Sequence, residues 1–71
     1  MNVLGLAYYY HDSSAALVKD GVLVAAGEEE RFSRLKHDSG FPSLAIDFVL
    51  QKGGLTIHDC LLYTSDAADE L

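Results

Sequence analysis

The sequence predicts one α/β unit in which three initial strands, two of them joined by a hairpin, are followed by a helix. Three observations predict this fold: short apolar runs bounded by turn residues, an Asp-Gly pair between two of these runs, and an apolar segment of helical length that ends at two glycines. With 71 residues, the chain has room for one modest core. A stable free-standing fold is therefore not expected.

The predicted strands occupy the amino-terminal third of the chain. Residues 2–7 (NVLGLA) form a nearly continuous apolar run, which favours a strand covered on both faces. Residues 15–19 and 22–26 are two more apolar runs, separated only by Asp20 and Gly21. Because an Asp-Gly pair adopts positive φ angles readily, these two runs are predicted to form a tight hairpin.

A charged stretch and then a helix follow the third strand. Residues 28–42 are dense in charge and close on a Gly-Phe-Pro string, which predicts an irregular excursion with a short helical turn. Ser43 is the predicted N-cap of a helix through about Lys52, because its hydroxyl can accept a hydrogen bond from the first helical turn. Two glycines stop this helix, and residues 55–59 lead toward another strand.

Composition excludes several classes of function. The formal charge is −6, with five basic against eleven acidic residues, whereas nucleic-acid binding requires lysine and arginine to replace counterions. No apolar run approaches the roughly 20 residues that span a bilayer, and no basic segment leads into a secretory signal pattern, so we expect a cytoplasmic protein. The single cysteine, Cys60, has no partner for a disulfide or a metal site.

The first candidate site is the polar string that follows the first strand. His11 and Asp12 are adjacent there, and an imidazole oriented by a carboxylate is a reasonable general base near neutral pH. Ser13 and Ser14 add hydroxyls and backbone N–H groups that can cradle an anion. The alternatives are a loop histidine bonded to a backbone carbonyl and serines that cap a turn.

The second candidate site lies in the charged stretch, where three consecutive glutamates are followed by a basic cluster. That cluster contains Arg34, Lys36 and His37, and basic groups held in a cleft bind anions well. The alternative is a solvated, self-neutralising surface segment. Phe32 and Leu35, which alternate with the charges, suggest instead that one side of the segment is buried.

These strings together resemble the amino terminus of the NodU/CmcH-type O-carbamoyltransferases. The resemblance runs from Val3 to about Asp59, and it is carried by GLAYYYHDSSAAL, EEERFSRLKHDSGFP and AIDFVLQKGGLT in that order. Two departures are slight: three tyrosines replace a variable stretch before the histidine, and Leu35 stands where a basic residue is frequent. Neither departure affects the candidate site residues.

The resemblance implies an actin-like, ribonuclease-H-like ATPase fold, of which this chain would form only the first part. It implies an enzyme that uses ATP and carbamoyl phosphate to make a carbamoyl-adenylate and passes the carbamoyl group to an acceptor hydroxyl. Carried over to this sequence, His11 would deprotonate or position that hydroxyl and Asp12 would orient the histidine. Lys36 would contact the carbamoyl donor or the nucleotide, with Ser13, Arg34 and His37 in support.

The resemblance also implies groups that this chain would not bind by itself. The family's iron-type divalent metal and most of its ATP-binding residues are expected farther along a full-length enzyme. The expected partners are carbamoyl phosphate and a hydroxyl-bearing small molecule, with neither nucleic acid nor membrane. The isolated chain is therefore expected to be inactive.

Residues 60–70 (CLLYTSDAADE) resemble the in-frame translation of a transposase sequencing adapter. We therefore divide the chain into residues 1–59, the incomplete amino-terminal part of a carbamoyltransferase domain, and residues 60–71, an adapter-derived tail. The alternative for the tail is an ordinary acidic terminus. If the adapter origin is correct, Cys60 and Tyr63 carry no function.

Two other functions remain open at the level of the sequence. An actin-like sugar kinase or ATPase would share the first strand and hairpin, but such enzymes place an Asp-x-Gly-Thr/Ser turn at the first connection, where this chain has HDSS. A small acidic binding module that is complete at residue 71 is the non-enzymatic alternative. Cooperative unfolding in urea would favour the module.

Overall fold

The computed structural model describes residues 1–8, 12–35 and 39–65. The elements follow the chain as β1 (Asn2–Ala7), β2 (Ser14–Lys19), β3 (Val22–Glu28), α1 (Glu30–Ser33), α2 (Ser43–Gly53), a 3-10 helix (Ile57–Asp59) and β4 (Leu61–Ser65). The predicted α/β class, with three strands before a helix, is confirmed. Within the described ranges, no helix is long and apolar enough to cross a membrane.

The four strands form one mixed sheet in the order β3-β2-β1-β4. The β1–β2 and β2–β3 pairs are antiparallel, whereas β4 runs parallel to β1. The predicted hairpin joins β2 to β3: Asp20 has a φ of 52° and Gly21 a φ of 83°, the two positive angles of a type I′ turn. Strand β3 extends two residues past its predicted end, to Glu28.

The core lies between one face of this sheet and α2. Leu4 pairs with Leu17 across β1 and β2, and both side chains are completely buried, as is Val49 of α2. Among the described residues, the buried hydrophobic side chains of this core are Leu4, Leu6, Ala15, Leu17, Ala45, Ile46 and Val49. The alternation of burial along β1 and β2 shows that only one face of each strand contacts the helix.

The opposite face of the sheet is apolar and open to solvent. Leu61 and Tyr63 pair with Val3 and Gly5 of β1, so they lie on the face away from α2, and both side chains are exposed. Leu23 of β3 is exposed as well. The sequence analysis expected β1 to be covered on both faces, but in this chain α2 covers only one of them.

The carboxyl end of α2 is defined by backbone geometry, whereas its amino end lacks the predicted cap. At its carboxyl end, the Gly54 N–H donates to the Gln51 carbonyl at 3.2 Å, and the Leu55 N–H donates to the Leu50 carbonyl at 3.1 Å. These bonds, with Gly54 at a φ of 68°, form a Schellman motif. At its amino end the prediction was wrong, because Ser43 is the first helical residue and makes no capping bond.

The edge of the sheet at which β1 begins is held by the amino terminus. The terminal ammonium donates to the Asp20 carboxylate, and the Asp20 N–H donates to the Met1 carbonyl at 2.8 Å. The hydrogen bond from the terminal ammonium to the carboxylate, and the positive charge of that ammonium, lower the pKa of Asp20 below its usual value. The hairpin turn and the start of β1 are thereby joined.

Strand β4 consists of residues that the sequence analysis assigns to an adapter-derived tail. Its residues Leu61–Ser65 pair in register with residues 3–7 of β1. An edge strand supplies unpaired backbone groups, so a β-favouring string such as LLYT can pair with it whatever the origin of its codons. The adapter origin stays a prediction.

The contact between α2 and β2 yields the first testable prediction. A Cβ added at Gly53 would overlap the Cδ2 atom of Leu17, whose side chain has no exposed surface to move into. Overpacking destabilises a core by about 1–3 kcal/mol. The higher helix propensity of alanine relative to glycine offsets at most about 1 kcal/mol of this loss. Gly53→Ala is therefore expected to lower the free energy of unfolding by about 1–2 kcal/mol in urea titrations of a full-length protein that contains this segment.

Gln51→Ala is the matched control, because Gln51 is exposed on the same turn of α2 and should change stability by less than about 0.5 kcal/mol. Equal unfolding midpoints for the two variants would contradict the described packing of Gly53 on Leu17.

Candidate functional site

The candidate residues divide between described and undescribed parts of the chain. His11, Lys36 and His37 lie outside the described residues. Asp12 and Arg34 are exposed, whereas Ser13 is completely buried. What the structure establishes about the site is therefore the arrangement of the segments that flank residues 9–11 and 36–38.

Ser13 links the two candidate strings. Its hydroxyl donates to the Gly40 carbonyl, so the residue that follows His11 and Asp12 is bonded to the segment just after residues 36–38. Its own carbonyl accepts the Glu29 N–H at 2.8 Å. Because Ser13 has no exposed surface and both its hydroxyl and its carbonyl are hydrogen-bonded, it holds these segments together. This role differs from the anion cradle predicted for it from the sequence.

An aromatic pair joins the same two segments a second time. The rings of Tyr8 and Phe41 meet edge to face, with their centroids 5.5 Å apart and their planes at 76°. This is a favoured geometry for aromatic side chains, and such a pair contributes about 0.5–1.5 kcal/mol beyond the area it buries. Tyr8 precedes residues 9–11 and Phe41 follows residues 36–38, so both strings depart from one edge of the sheet.

Glu29 completes this arrangement. The residue is only 4% exposed. Its Oε1 atom accepts the Ala45 N–H at 2.7 Å, and its Oε2 atom accepts the Leu44 N–H at 3.2 Å. The first N–H groups of a helix have no partner within the helix, and a negative charge at that end is favoured by the helix dipole. Glu29 therefore caps α2 from a distance, which is why Ser43 does not.

The energetics make this cap hard to replace. A hydrogen bond to a charged group contributes about 1.5–3 kcal/mol, against a cost of several kcal/mol for burying the carboxylate. The net contribution of the intact cap is therefore small. Its removal, however, leaves two N–H groups without partners at a cost of about 1–3 kcal/mol each, so the structure depends on Glu29 far more than the net value suggests.

The sequence analysis missed Glu29 because it lies in a run of three glutamates. A charge run is normally a solvated face, and Glu28 and Arg31 do follow that rule. The signal that points to Glu29 is positional. It stands at the turn immediately after β3, and α2, the longer helix that follows, begins without a side-chain cap from its own N-cap residue.

Arg34 lies one turn beyond Glu29. It ends α1 in the left-handed conformation, with a φ of 66°, and its N–H donates to the Glu30 carbonyl at 2.9 Å. A left-handed residue is common at this position of a helix end. The residue is exposed, and its guanidinium forms no ion pair with another described residue.

Of the two apolar residues that alternate with the charges, only Phe32 is partly buried. Its ring packs on Phe48 of α2, with the centroids 5.2 Å apart. Leu35, by contrast, is exposed. Because Phe32 lies inside α1, its contact with α2 holds the turn that carries Arg34 against the body of the protein.

Another histidine-acid pair, His58 and Asp59, lies in the 3-10 helix at the opposite edge of the sheet. The Asp59 carboxylate accepts the Thr56 N–H at 2.8 Å and the Thr56 hydroxyl at 3.1 Å, and these bonds lower the pKa of Asp59. Burial and the Asp59 charge raise the pKa of the neighbouring Cys60 thiol. The thiolate is disfavoured there, so Cys60 is a poor nucleophile.

Two kinds of ligand site find no support among the described residues. No three His, Cys, Asp or Glu side chains in the described ranges are grouped as metal ligands would be. The amino terminus of α2, which would otherwise attract a phosphate, is filled by the Glu29 carboxylate.

Comparison with known proteins places this arrangement in a family. A family model described as "Carbamoyltransferase N-terminus" matches residues 2–70. "Uncharacterized protein sll1178" of Synechocystis is 53% identical over 58 residues, which is 82% of this chain and 9% of that protein.

Two further relatives come from distant organisms. "Nodulation protein NolNO" of Sinorhizobium fredii is 39% identical over 62 residues, 84% of this chain and 9% of that protein. "Uncharacterized protein MJ1051" of Methanocaldococcus jannaschii is 40% identical over 42 residues, 59% of this chain and 8% of that protein. The chain thus spans less than a tenth of the length of these curated relatives.

Two serine variants test the roles that the structure gives to Ser13 and Ser43. Ser13→Ala removes the bond to the Gly40 carbonyl from a buried position and is expected to cost about 1–2 kcal/mol of unfolding free energy. Ser43→Ala should change stability by less than about 0.5 kcal/mol, because Ser43 is exposed and does not cap α2. A loss near 1 kcal/mol for Ser43→Ala in urea titrations would restore Ser43 as the N-cap.

Proposed function

Since the chain belongs to the carbamoyltransferase amino-terminal family, we propose that it forms the first part of an ATP-dependent O-carbamoyltransferase. In this proposal the enzyme makes a carbamoyl-adenylate from carbamoyl phosphate and ATP, and then transfers the carbamoyl group to the hydroxyl of a small molecule. The structural observation that supports it most is a pair of contacts between the segments that flank the two candidate strings. Ser13 bonds to Gly40, and the ring of Tyr8 packs on that of Phe41, at one edge of the sheet.

We also propose that the sheet is the beginning of an actin-like, ribonuclease-H-like ATPase fold. Its three antiparallel strands followed by a helix that packs on one face of them are compatible with that architecture. The apolar face opposite α2 gives such a sheet a second surface on which further layers can pack.

In the transfer step, His11 takes the proton of the acceptor hydroxyl. The oxygen then attacks the carbamoyl carbon, and the bond from that carbon to the phosphate oxygen of the adenylate breaks, with AMP as the leaving group. An alcohol is a weak nucleophile without a base, which is the chemical reason for a histidine here. Asp12, which the structure describes as exposed at this edge, orients the imidazole.

Lys36, Arg34 and His37 bind the anionic donor in this proposal. A donor that carries phosphate needs fixed positive charge, and the exposed guanidinium of Arg34 supports an anion at this edge. Ser13, in contrast, acts through its bonds to Gly40 and Glu29, since a buried hydroxyl does not reach a ligand in solvent.

The nucleotide and the iron-type metal belong, in this proposal, to other parts of the full-length enzyme. The described residues offer no group of metal ligands, and Glu29 fills the amino terminus of α2, which could otherwise hold a phosphate. ATP and carbamoyl phosphate are supplied inside the cell, which supports a cytoplasmic location. The formal charge of −6 supports small molecules, and not nucleic acid, as partners.

His11→Asn in the full-length enzyme tests this proposal. The gene is first recovered by sequencing the source DNA past the codon of Asp59, in a library prepared without transposase adapters. The variant is expected to reduce carbamoyl transfer by about 10²–10⁴-fold, the usual contribution of a general base, while ATP binding stays unchanged. Product formation and nucleotide binding are measured in parallel.

His58→Asn is the matched control, because His58 is exposed at the opposite edge of the sheet and its loss should leave turnover unchanged. Unchanged turnover in His11→Asn would contradict the role of His11 as the base. Genomic codons for residues 60–71 that end in a stop would contradict the enzyme itself and favour a small binding module.

A further inference from the structure

Glu29 is a buried acid for which neither the family resemblance nor the proposed chemistry has a role. Only 4% of its surface is exposed, and both carboxylate oxygens accept backbone N–H groups of α2, from Leu44 and Ala45. Because its oxygens are engaged and shielded from solvent, it cannot contact a substrate. Any part it has in catalysis must act through the segments that it holds.

Those segments are the two that flank the candidate strings. The Glu29 backbone N–H donates to the Ser13 carbonyl at 2.8 Å, while its side chain holds the first turn of α2. The Ser13 hydroxyl, in turn, donates to the Gly40 carbonyl, which lies three residues before the start of α2. Residues 13, 29 and 40–45 are thus joined in a ring, named here the Glu29 junction.

We propose that Glu29 is a positioning residue for carbamoyl transfer, which fixes the segment after His11 and Asp12 relative to the segment after Lys36 and His37. This inference rests on the proposed function. General base catalysis depends on the distance between the base and the reacting hydroxyl. Loosening the junction should therefore lower the rate of transfer even in molecules that remain folded.

A glutamate is needed because the junction presents two N–H donors to one side chain. A carboxylate accepts from both, whereas the amide of a glutamine has one acceptor oxygen and would turn its NH₂ group toward the other donor. Aspartate is one methylene shorter. Glu29→Gln is thus the smallest change that breaks half of the cap while keeping the size of the side chain.

The test compares Glu29→Gln with two other variants of the full-length enzyme. Val49→Ala opens the core under α2, away from the junction, and supplies a purely structural loss of stability. Asp47→Asn removes an exposed acid from the same helix. At a temperature where all variants are folded by circular dichroism, Glu29→Gln is expected to lower kcat at least tenfold, with the KM for ATP unchanged, while the other two retain wild-type kcat.

A Glu29→Gln enzyme that matches Val49→Ala in kcat would overturn the proposal and leave Glu29 a structural residue. If Glu29→Gln does not fold, Ser13→Ala replaces it, because this variant removes another hydrogen bond of the Glu29 junction. Ser13→Ala is then expected to lower kcat, and a wild-type kcat in this variant would overturn the proposal. If both fold, their effects on kcat should be non-additive in the double variant. A wild-type enzyme without carbamoyl transfer would overturn the proposed function itself, a result distinct from these.

Discussion

The Glu29 carboxylate at the amino end of α2 is the contact on which the arrangement of this protein depends. A small chain, whose described ranges contain seven buried hydrophobic residues in the core, has limited apolar surface with which to fix its loops. Here one buried acid, Glu29, joins these segments. Its side chain caps α2, and its backbone N–H donates to the Ser13 carbonyl. The helix packs on the sheet through Ala45 and Val49, but its start is set by Glu29.

This constraint explains why the two candidate strings share one edge of the sheet. Strand β1 ends there and β2 begins there, so the connection between them is anchored at Tyr8 and Ser13. Strand β3 also ends there, and the charged stretch that follows returns to the same edge because Glu29 holds α2 and Ser13 holds Gly40. The described segments on either side of residues 9–11 and 36–38 are thereby brought together at this edge.

The elements that could be predicted from the sequence are those with local causes. The apolar run of β1, the Asp20-Gly21 turn with two positive φ angles, and the glycine that ends α2 all act through neighbouring residues. Glu29 and Ser13 could not be assigned in this way, because their partners lie 15 to 27 residues away. The same reasoning made Ser43 an N-cap, since local chemistry cannot reveal that a distant carboxylate already occupies the helix end.

Amide hydrogen exchange of Leu44 and Ala45 in the folded protein tests the central claim most directly. The first N–H groups of a helix ordinarily lack partners and exchange rapidly. With Glu29 as their acceptor, both should exchange about as slowly as the Val49 amide in the helix interior. Rapid exchange of both amides, while Val49 remains protected, would show that Glu29 does not cap α2 and would contradict the account of the site built on it.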